Sequence, residues 1–431
     1  MWTLGATALL YGLFYAFWAV LIQYVSKEPF LLALVWTVME WQKSNGYFAF
    51  PWGLLPYTVQ NIPVLIQTAD TAGVYGLSFL LALCNAALVR LIRLSPKGNA
   101  KKVLFTPVNA AILFLLGWTL CYGAWCLKHP VPILRKIPMV LVQHNIDQYR
   151  YAKEALSRAI DLSRQGTASI RARGGEPALI VWSETLLTMP FKGGDYFQDH
   201  PLIPFLEESR IPVITGAPLV LLAEPQDGKP GDGRPPELAN GAILVQRGRI
   251  VSSYAKRQLI PFAETIPFGT KKWMLSLMEK FVGFSSAWKA GKEVVVMEVP
   301  GLRFGTPICF EDAFAGICRD FIKEGADILI NLTNDSWSGS VSAEIQHLAA
   351  ARFRSVENRR TIVRSTNSGC TVVVDAEGLI TGQLPPFSAD YLALDVPVQQ
   401  RRATVYYLLG DWFPFLCAAL FAVYLIRNRS L

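Results

Sequence analysis

Residues 2–25 carry no charged side chain over a length that can cross a bilayer as a single helix. That run constrains the chain before anything else does. In hydrocarbon every backbone polar group must be satisfied within its own segment, so the fold must place helices in lipid. The run has no basic leader and no small-residue cleavage site, so it reads as an anchor rather than a removed signal peptide. A shorter apolar stretch follows at 30–41, and an aromatic, proline-rich passage at 47–63 reads as interfacial. Further spans are expected at about 73–92, 103–127 and 405–426.

A hydrophobic content of 52% and a mean hydropathy of +0.30 are too high for an ordinary soluble protein. The net charge of +8 arises from clusters beside apolar runs, not from a basic stripe, so no nucleic-acid partner is expected. Arg90, Arg93, Lys97, Lys101 and Lys102 place the loop between the third and fourth spans in the cytoplasm by the positive-inside rule. The segment from about 128 to 400 would then lie on the outer face, and the last span would return to a tail with Arg427 and Arg429. Counting back puts Met1 outside, so upstream helices are expected to be absent from this sequence.

Of seven cysteines, Cys84, Cys121, Cys126 and Cys417 fall in membrane-like runs, and Cys309, Cys318 and Cys370 in the polar middle, with no disulfide framework. His129, His144, His200 and His347 lack ligand spacing. Neither a metal site nor a cofactor is expected.

The middle segment alternates β-rich and helical patterns, which argues an α/β domain. Strands are expected at 139–143, 178–182, 212–216, 302–308, 327–332 and 361–365, helices at about 151–173, 312–324 and 341–357, and an exposed Gly/Pro-rich loop at 224–239.

Three islands can carry chemistry: ALIVWSETLLTMP with Glu184, YAKRQLIPFAETIPF with Lys256 and Glu264, and GTPICFEDAF with Cys309 and Glu311. The first and last each end a β-rich run in a reactive side chain, where open α/β sheets place ligands. A thiol is only slightly ionised at neutral pH, so a nucleophilic Cys309 needs a base, which Glu184 can supply. Lys256 can hold the thiolate and donate to an oxyanion. Each residue alone has a plainer reading: Cys309 as a small buried hydrophobe, Glu184 as an exposed carboxylate or helix cap, Lys256 as a solvated lysine.

Together the islands resemble the nitrilase superfamily, whose Glu, Lys and Cys triad is matched at Glu184, Lys256 and Cys309. NDSWSG at 334–339, HLAAARFRSVENRR at 347–360, RSTNSG at 364–369, GDW at 410–412, FPWG at 50–53 and PYTVQ at 56–60 are similar to the apolipoprotein N-acyltransferase branch in particular. The resemblance implies a nitrilase-like αββα sandwich flanked by transmembrane α-helices. Residues 1–127 would form a membrane domain of about four spans plus an interfacial segment, 128–400 the catalytic domain on the outer, periplasmic face of a bacterial inner membrane, and 401–431 a last helix with a short basic tail. It further implies that Glu264 assists the triad, that Glu311 is another polar residue of the site, and that Trp182 and Trp337 lie near the pocket or its covering loops.

The implied reaction is a two-step exchange. Cys309 takes an acyl chain from a phospholipid as a thioester, and the α-amino group of a diacylglyceryl cysteine at the start of an apolipoprotein receives it. Two departures stand out: Phe310 follows the nucleophile where the family commonly has tyrosine, and about five spans are present where the family usually has more. A membrane-tethered amidase or hydrolase with the same triad, and a catalytically silent lipoprotein-binding paralogue, are the alternatives.

Overall fold

The computed structural model describes residues 2–25, 28–94, 107–192, 200–221, 237–261, 263–265, 288–336 and 338–427. They group into two compact units, one of Met1–Val131, Ser355–Arg359 and Arg402–Leu431, the other of Pro132–Arg354 and Arg360–Arg401.

The first unit is helical: α1 (Trp2–Val25), α2 (Pro29–Lys43), α3 (Pro63–Ile66), α4 (Ala69–Leu94) and α5 (Pro107–Lys128), with α10 (Val405–Leu409) and α11 (Trp412–Arg427) from the C-terminal segment. Among the described residues α1, α4 and α5 are long and apolar enough to cross a membrane. Large apolar side chains point away from this unit, Leu113 and Phe114 being 68% and 69% exposed, as suits a helix solvated by lipid.

α2 is the exception. Its Leu34, Val35 and Met39 are buried, and it carries two buried charges that organise the aromatic passage after it. The Glu40 carboxylate accepts from the Leu55 N–H at 2.7 Å and from the Ser78 hydroxyl, and the Lys43 ammonium donates to the Trp52 carbonyl at 2.7 Å. FPWG thus follows α2 as a fastened turn.

α4 breaks at Gly73, where φ is 63° and ψ is −172°. A break frees backbone N–H groups, and the Glu357 carboxylate accepts from the Val74 N–H at 3.0 Å, capping the helix that resumes there. A Cβ at Gly73 would sit 2.7 Å from the Tyr406 ring in a conformation L side chains rarely adopt. Gly73→Ala is therefore expected to destabilise the protein by about 1–3 kcal/mol. Thermal unfolding of the detergent-purified variant checks this; an unchanged midpoint would mean the kink is not needed.

The span expected over 405–426 is not continuous. Gly410, at φ 63° and ψ −135°, separates α10 from α11, which leaves 16 residues in the final helix. The physical reason is Asp411 of GDW, whose carboxylate accepts from Trp41 Nε1 at 3.0 Å and from the Tyr406 hydroxyl at 2.9 Å, bonds a continuous helix would not present together.

The second unit is a two-sheet α/β sandwich. One sheet runs β12-β1-β2-β3-β4-β5 and the other β11-β10-β9-β8-β7-β6. Its strands are β1 (Ile133–Gln143), β2 (Leu179–Val181), β3 (Val213–Leu221), β4 (Glu237–Gln246), β5 (Arg249–Ala255), β6 (Val296–Val299), β7 (Leu302–Gly305), β8 (Ile328–Thr333), β9 (Ile362–Thr366), β10 (Val372–Val374), β11 (Ile380–Gln383) and β12 (Asp390–Gln399). Each sheet has a parallel centre, β1-β2-β3 in one and β7-β8-β9 in the other, with antiparallel flanks. The central strands are buried on both faces and read as unbroken apolar runs for that reason.

Helices α6 (Ala152–Arg171) and α7 (Ile203–Ser209) pack on the first sheet through Val140, Val142, Ile180 and Val213, while Phe321 of α8 (Ala315–Lys323) lies against Gly305 of β7. α9 is Val341–Asn358. The Ser365 hydroxyl joins the sheets by donating to the carbonyls of Val142 and Val181. All six expected strands and all three expected helices occur, with ends moved by a few residues. Of the expected loop at 224–239, residues 224–236 lie outside the described residues and 237–239 open β4.

Candidate active site

The carboxyl ends of the parallel strands converge, as they do wherever open α/β sheets build sites. Glu184 lies three residues past the end of β2, and Thr185 beside it takes a φ of 54°. This turn rests on Gly216 of β3, where a Cβ would lie 2.1 Å from the Thr185 nitrogen, so no side chain fits. The buried Glu184 carboxylate accepts from Asn240 Nδ2 at 2.7 Å and from the Asn334 N–H at 2.9 Å.

Lys256 directly follows β5 and is fully buried. Its Nζ lies 2.7 Å from Glu264 Oε1 and 3.8 Å from Glu184 Oε1. Glu264 is held in turn by the Ile260 N–H at 2.9 Å and by Asn240 Nδ2 at 3.2 Å.

Cys309 opens a short 3-10 turn, Cys309–Ala313, just after Ile308 bridges in parallel to Leu332. Its φ of 51° is unusual for a residue with a side chain, a strain that persists only where the surroundings impose it. Asn331 Nδ2 supplies part of that restraint by donating to the Cys309 carbonyl at 2.9 Å. Glu311 supplies more. Its fully buried carboxylate accepts from the N–H groups of Ile308, Arg257 and Gln258 at 2.8, 2.7 and 3.0 Å and from the Tyr254 hydroxyl at 3.0 Å. Glu311 therefore fastens the turn of Cys309 to the strand end that carries Lys256.

The electrostatics follow from burial. The Cys309 thiol is pushed well above its ordinary value, first by burial and then by the negative charge of Glu184, against the pull of Lys256. Burial also raises the Glu184 carboxyl, with Lys256 opposing, and the thiol donates a hydrogen bond to it. For Lys256 burial alone would lower the value, but Glu264, Cys309 and Glu184 together outweigh it and move it up. Burial thus favours the thiol over the thiolate at Cys309, and the neighbouring anionic groups keep Lys256 charged.

Comparison with known proteins places the chain in a family by two kinds of match. Residues 206–406 match the family model described as carbon-nitrogen hydrolase, and residues 1–87 match the apolipoprotein N-acyltransferase N-terminal domain. Apolipoprotein N-acyltransferase 2 of Treponema denticola is 35% identical over 100% of this chain and 84% of its own length. The chain belongs to the apolipoprotein N-acyltransferase family. A second member of that family, apolipoprotein N-acyltransferase 2 of Treponema pallidum, is 34% identical over 98% of this chain and 80% of its own. Among solved structures, an amidase from Nesterenkonia sp. is 19% identical, covering 66% of this chain and 98% of that one at a TM-score of 0.41.

Within the apolipoprotein N-acyltransferase family this chain keeps its hydrolase match over Lys256, Glu264, Cys309 and Glu311, while Glu184 precedes the matched span. Its place in the site rests on geometry. Of the residues expected from sequence, the structure brings together Glu184, Lys256, Cys309, Glu264 and Glu311. Trp182 is a correction. Strand alternation sends it to the helix-facing side with Ile180, where its indole donates to Ser163 Oγ at 2.9 Å and stacks on Phe205 at 5.9 Å. Trp337 lies outside the described residues. Phe310, the departure from tyrosine, packs on Phe314 and on the His347 ring, with centroids 5.5 and 6.0 Å away.

Sequence reasoning missed Asn240 and Asn331. Asn334 was present in NDSWSG without a role, and its backbone N–H is the part that acts.

Proposed function

We propose that this chain is an apolipoprotein N-acyltransferase, and the observation that carries the reading is the meeting of Cys309, Glu184 and Lys256 in one buried site of a chain with bilayer-length apolar helices. In the first half-reaction Glu184 takes the thiol proton as the sulfur attacks the ester carbonyl of a phospholipid. The oxyanion forms beside the Lys256 ammonium and backbone N–H groups of the Cys309 turn. Collapse breaks the ester bond, the lysophospholipid alkoxide leaves with the proton held by Glu184, and a thioester remains on Cys309.

In the second half-reaction the α-amino group of a diacylglyceryl cysteine attacks the thioester. Glu184 takes the amine proton and returns it to the departing sulfur. The amide forms, the thiol is restored, and the cycle predicts ping-pong kinetics. Glu264 keeps the ammonium in place, and Glu311 keeps the lysine strand and the nucleophile turn in register.

Both reactants are lipids, each buried CH₂ favouring the bilayer by about 0.8 kcal/mol, so an enzyme that joins them gains by staying in the membrane. The reading includes a multi-pass protein of a bacterial inner membrane, with residues 128–400 as the outer-face catalytic domain, supported by Arg90, Arg93 and Arg427 at helix ends.

The test uses purified protein in detergent with phospholipid and a diacylglyceryl peptide. Acyl peptide with lysophospholipid is expected; free fatty acid without acyl peptide would identify a hydrolase, and neither product would leave a silent paralogue. A pH profile adds a second check. Because burial raises the Glu184 carboxyl and only its ionised form accepts a proton, the acidic limb of kcat/KM is expected above the ordinary carboxylate range, with rate rising as pH rises through it. A limb at the ordinary value would contradict the base assignment.

A further inference from the structure

A closed set of charged side chains lies beside the nucleophile turn and takes no part in the acyl-transfer steps. Its centre is His347 of α9, which is 2% exposed. The ring Nε2 lies 3.1 Å from Asp312 Oδ1, and Nδ1 lies 3.0 and 3.1 Å from the two Asp335 oxygens. A neutral imidazole has one donor and one acceptor, so with carboxylates on both nitrogens it would turn a lone pair toward an anion. Both nitrogens must donate, and the ring is an imidazolium.

The neighbouring charges balance. Arg364 of β9 pairs with Asp312, and its Nη2 stands 3.5 Å from Asp335 Oδ2, so two cations meet two anions. Glu344, one turn before His347, accepts from Ser338, and it is pushed up to about 8 by burial and by Asp335, which leaves it uncharged at neutral pH. His347 is moved up to about 9: burial and the nearby Arg364 guanidinium work against the charge, and Asp335 and Asp312 overcome them.

The two carboxylates belong to different parts of the catalytic apparatus. Asp312 is in the turn that begins at the strained Cys309. Asp335 adjoins Asn334, whose N–H orients Glu184. We propose that His347 is a positioning residue whose imidazolium cross-links the nucleophile turn, through Asp312, to the loop that orients the base, through Asp335. It thereby sets the distance over which the thiol proton travels to Glu184. The inference rests on the acyl-transfer reading of Cys309 and Glu184. It also gives the motifs NDSWSG, HLAAARFRSVENRR and RSTNSG one joint task, since Asp335, His347 and Arg364 come from one each.

The experiment measures acylation of Cys309 by phospholipid with intact-protein mass spectrometry, in wild type, His347→Gln and Asp335→Asn. Glutamine donates to one carboxylate only, and asparagine keeps the shape while removing a charge. Each variant is expected to acylate about tenfold to a hundredfold more slowly, with KM for phospholipid within about twofold, as small misplacements of reacting groups cost rate rather than binding. Wild type is expected to lose rate through a limb near pH 9 as the imidazolium deprotonates. That limb should vanish in His347→Gln and persist in Glu344→Gln, which removes the other group titrating in this range.

Acylation at the wild-type rate in both His347→Gln and Asp335→Asn would overturn the proposal, as would a limb kept in His347→Gln and lost in Glu344→Gln. If His347→Gln does not fold, Asp335→Asn decides. Wild-type protein that forms no adduct on Cys309 would instead overturn the acyl-transfer reading itself.

Discussion

Cys309→Ala is expected to form no acyl-enzyme at all, while Cys318→Ala should be acylated as wild type is. The two thiols sit nine residues apart on either side of one turn, and both are buried. What separates them is their surroundings. The Cys309 thiol faces Glu184 as a proton acceptor and feels the Lys256 ammonium. The Cys318 sulfur, on α8, lies 4.0 and 3.9 Å from the backbone carbonyls of Glu311 and Asp312, which can neither remove its proton nor stabilise an oxyanion. Incubating each variant with phospholipid and weighing the intact protein distinguishes them. An adduct that survives in Cys309→Ala, or is lost in Cys318→Ala, would refute the assignment of the nucleophile.

The second large effect is expected at Lys256. Lys256→Met should slow acylation by roughly a hundredfold or more, matching the loss of an oxyanion donor at about 2.7–4 kcal/mol. It should also destabilise the fold by about 3–5 kcal/mol, because the buried Glu184 and the partly buried Glu264 lose the cation between them. The pH dependence carries the sign. In wild type the folded value of Lys256 is raised, so its contribution is complete throughout the neutral range and is lost only as pH rises through that higher value. In the variant the Glu184 carboxyl, already raised by burial, loses the opposing pull of the ammonium and moves higher. The defect should shrink as pH falls toward the carboxylate range, where protonation removes the repulsion. Thermal unfolding at several pH values measures this; a defect that grew on acidification would show that the ammonium does not hold those carboxylates.

Parts of the site were legible in the sequence for a local reason. Glu184 and Cys309 each close an apolar run, and Cys309 is followed by a polar turn, which is how a strand presents a reactive side chain. Lys256 gave no such local sign, because a buried lysine and a solvated one look alike until their partners are known. Trp182 misled for the same reason: position 182 is next to the site in sequence, but the period of two sends its ring to the opposite side of the sheet. The last helix misled through composition, since 405–426 is apolar enough for a span while Gly410 and Asp411 interrupt it.

The acidic residues show the division most plainly. Glu184, Glu264, Glu311, Asp312, Asp335 and Glu344 are all buried or nearly so, and nothing in their immediate sequence distinguishes one that faces the thiol from one that holds the ammonium or fastens a turn. Each acquires its task from a partner far along the chain, as Glu184 does from Asn334, 150 residues away.

The amino-acid sequence by itself determined that this chain has bilayer-length helices and an α/β domain with buried parallel strands, because hydrophobic period and length act over a few turns or a few strand residues. Only the tertiary structure decided which carboxylate faces the thiol, which one holds the ammonium, and that a histidine without ligand spacing sits between two aspartates. Those outcomes depend on hydrogen bonds and charges that meet across strands and loops, and no local pattern encodes which distant partner will arrive.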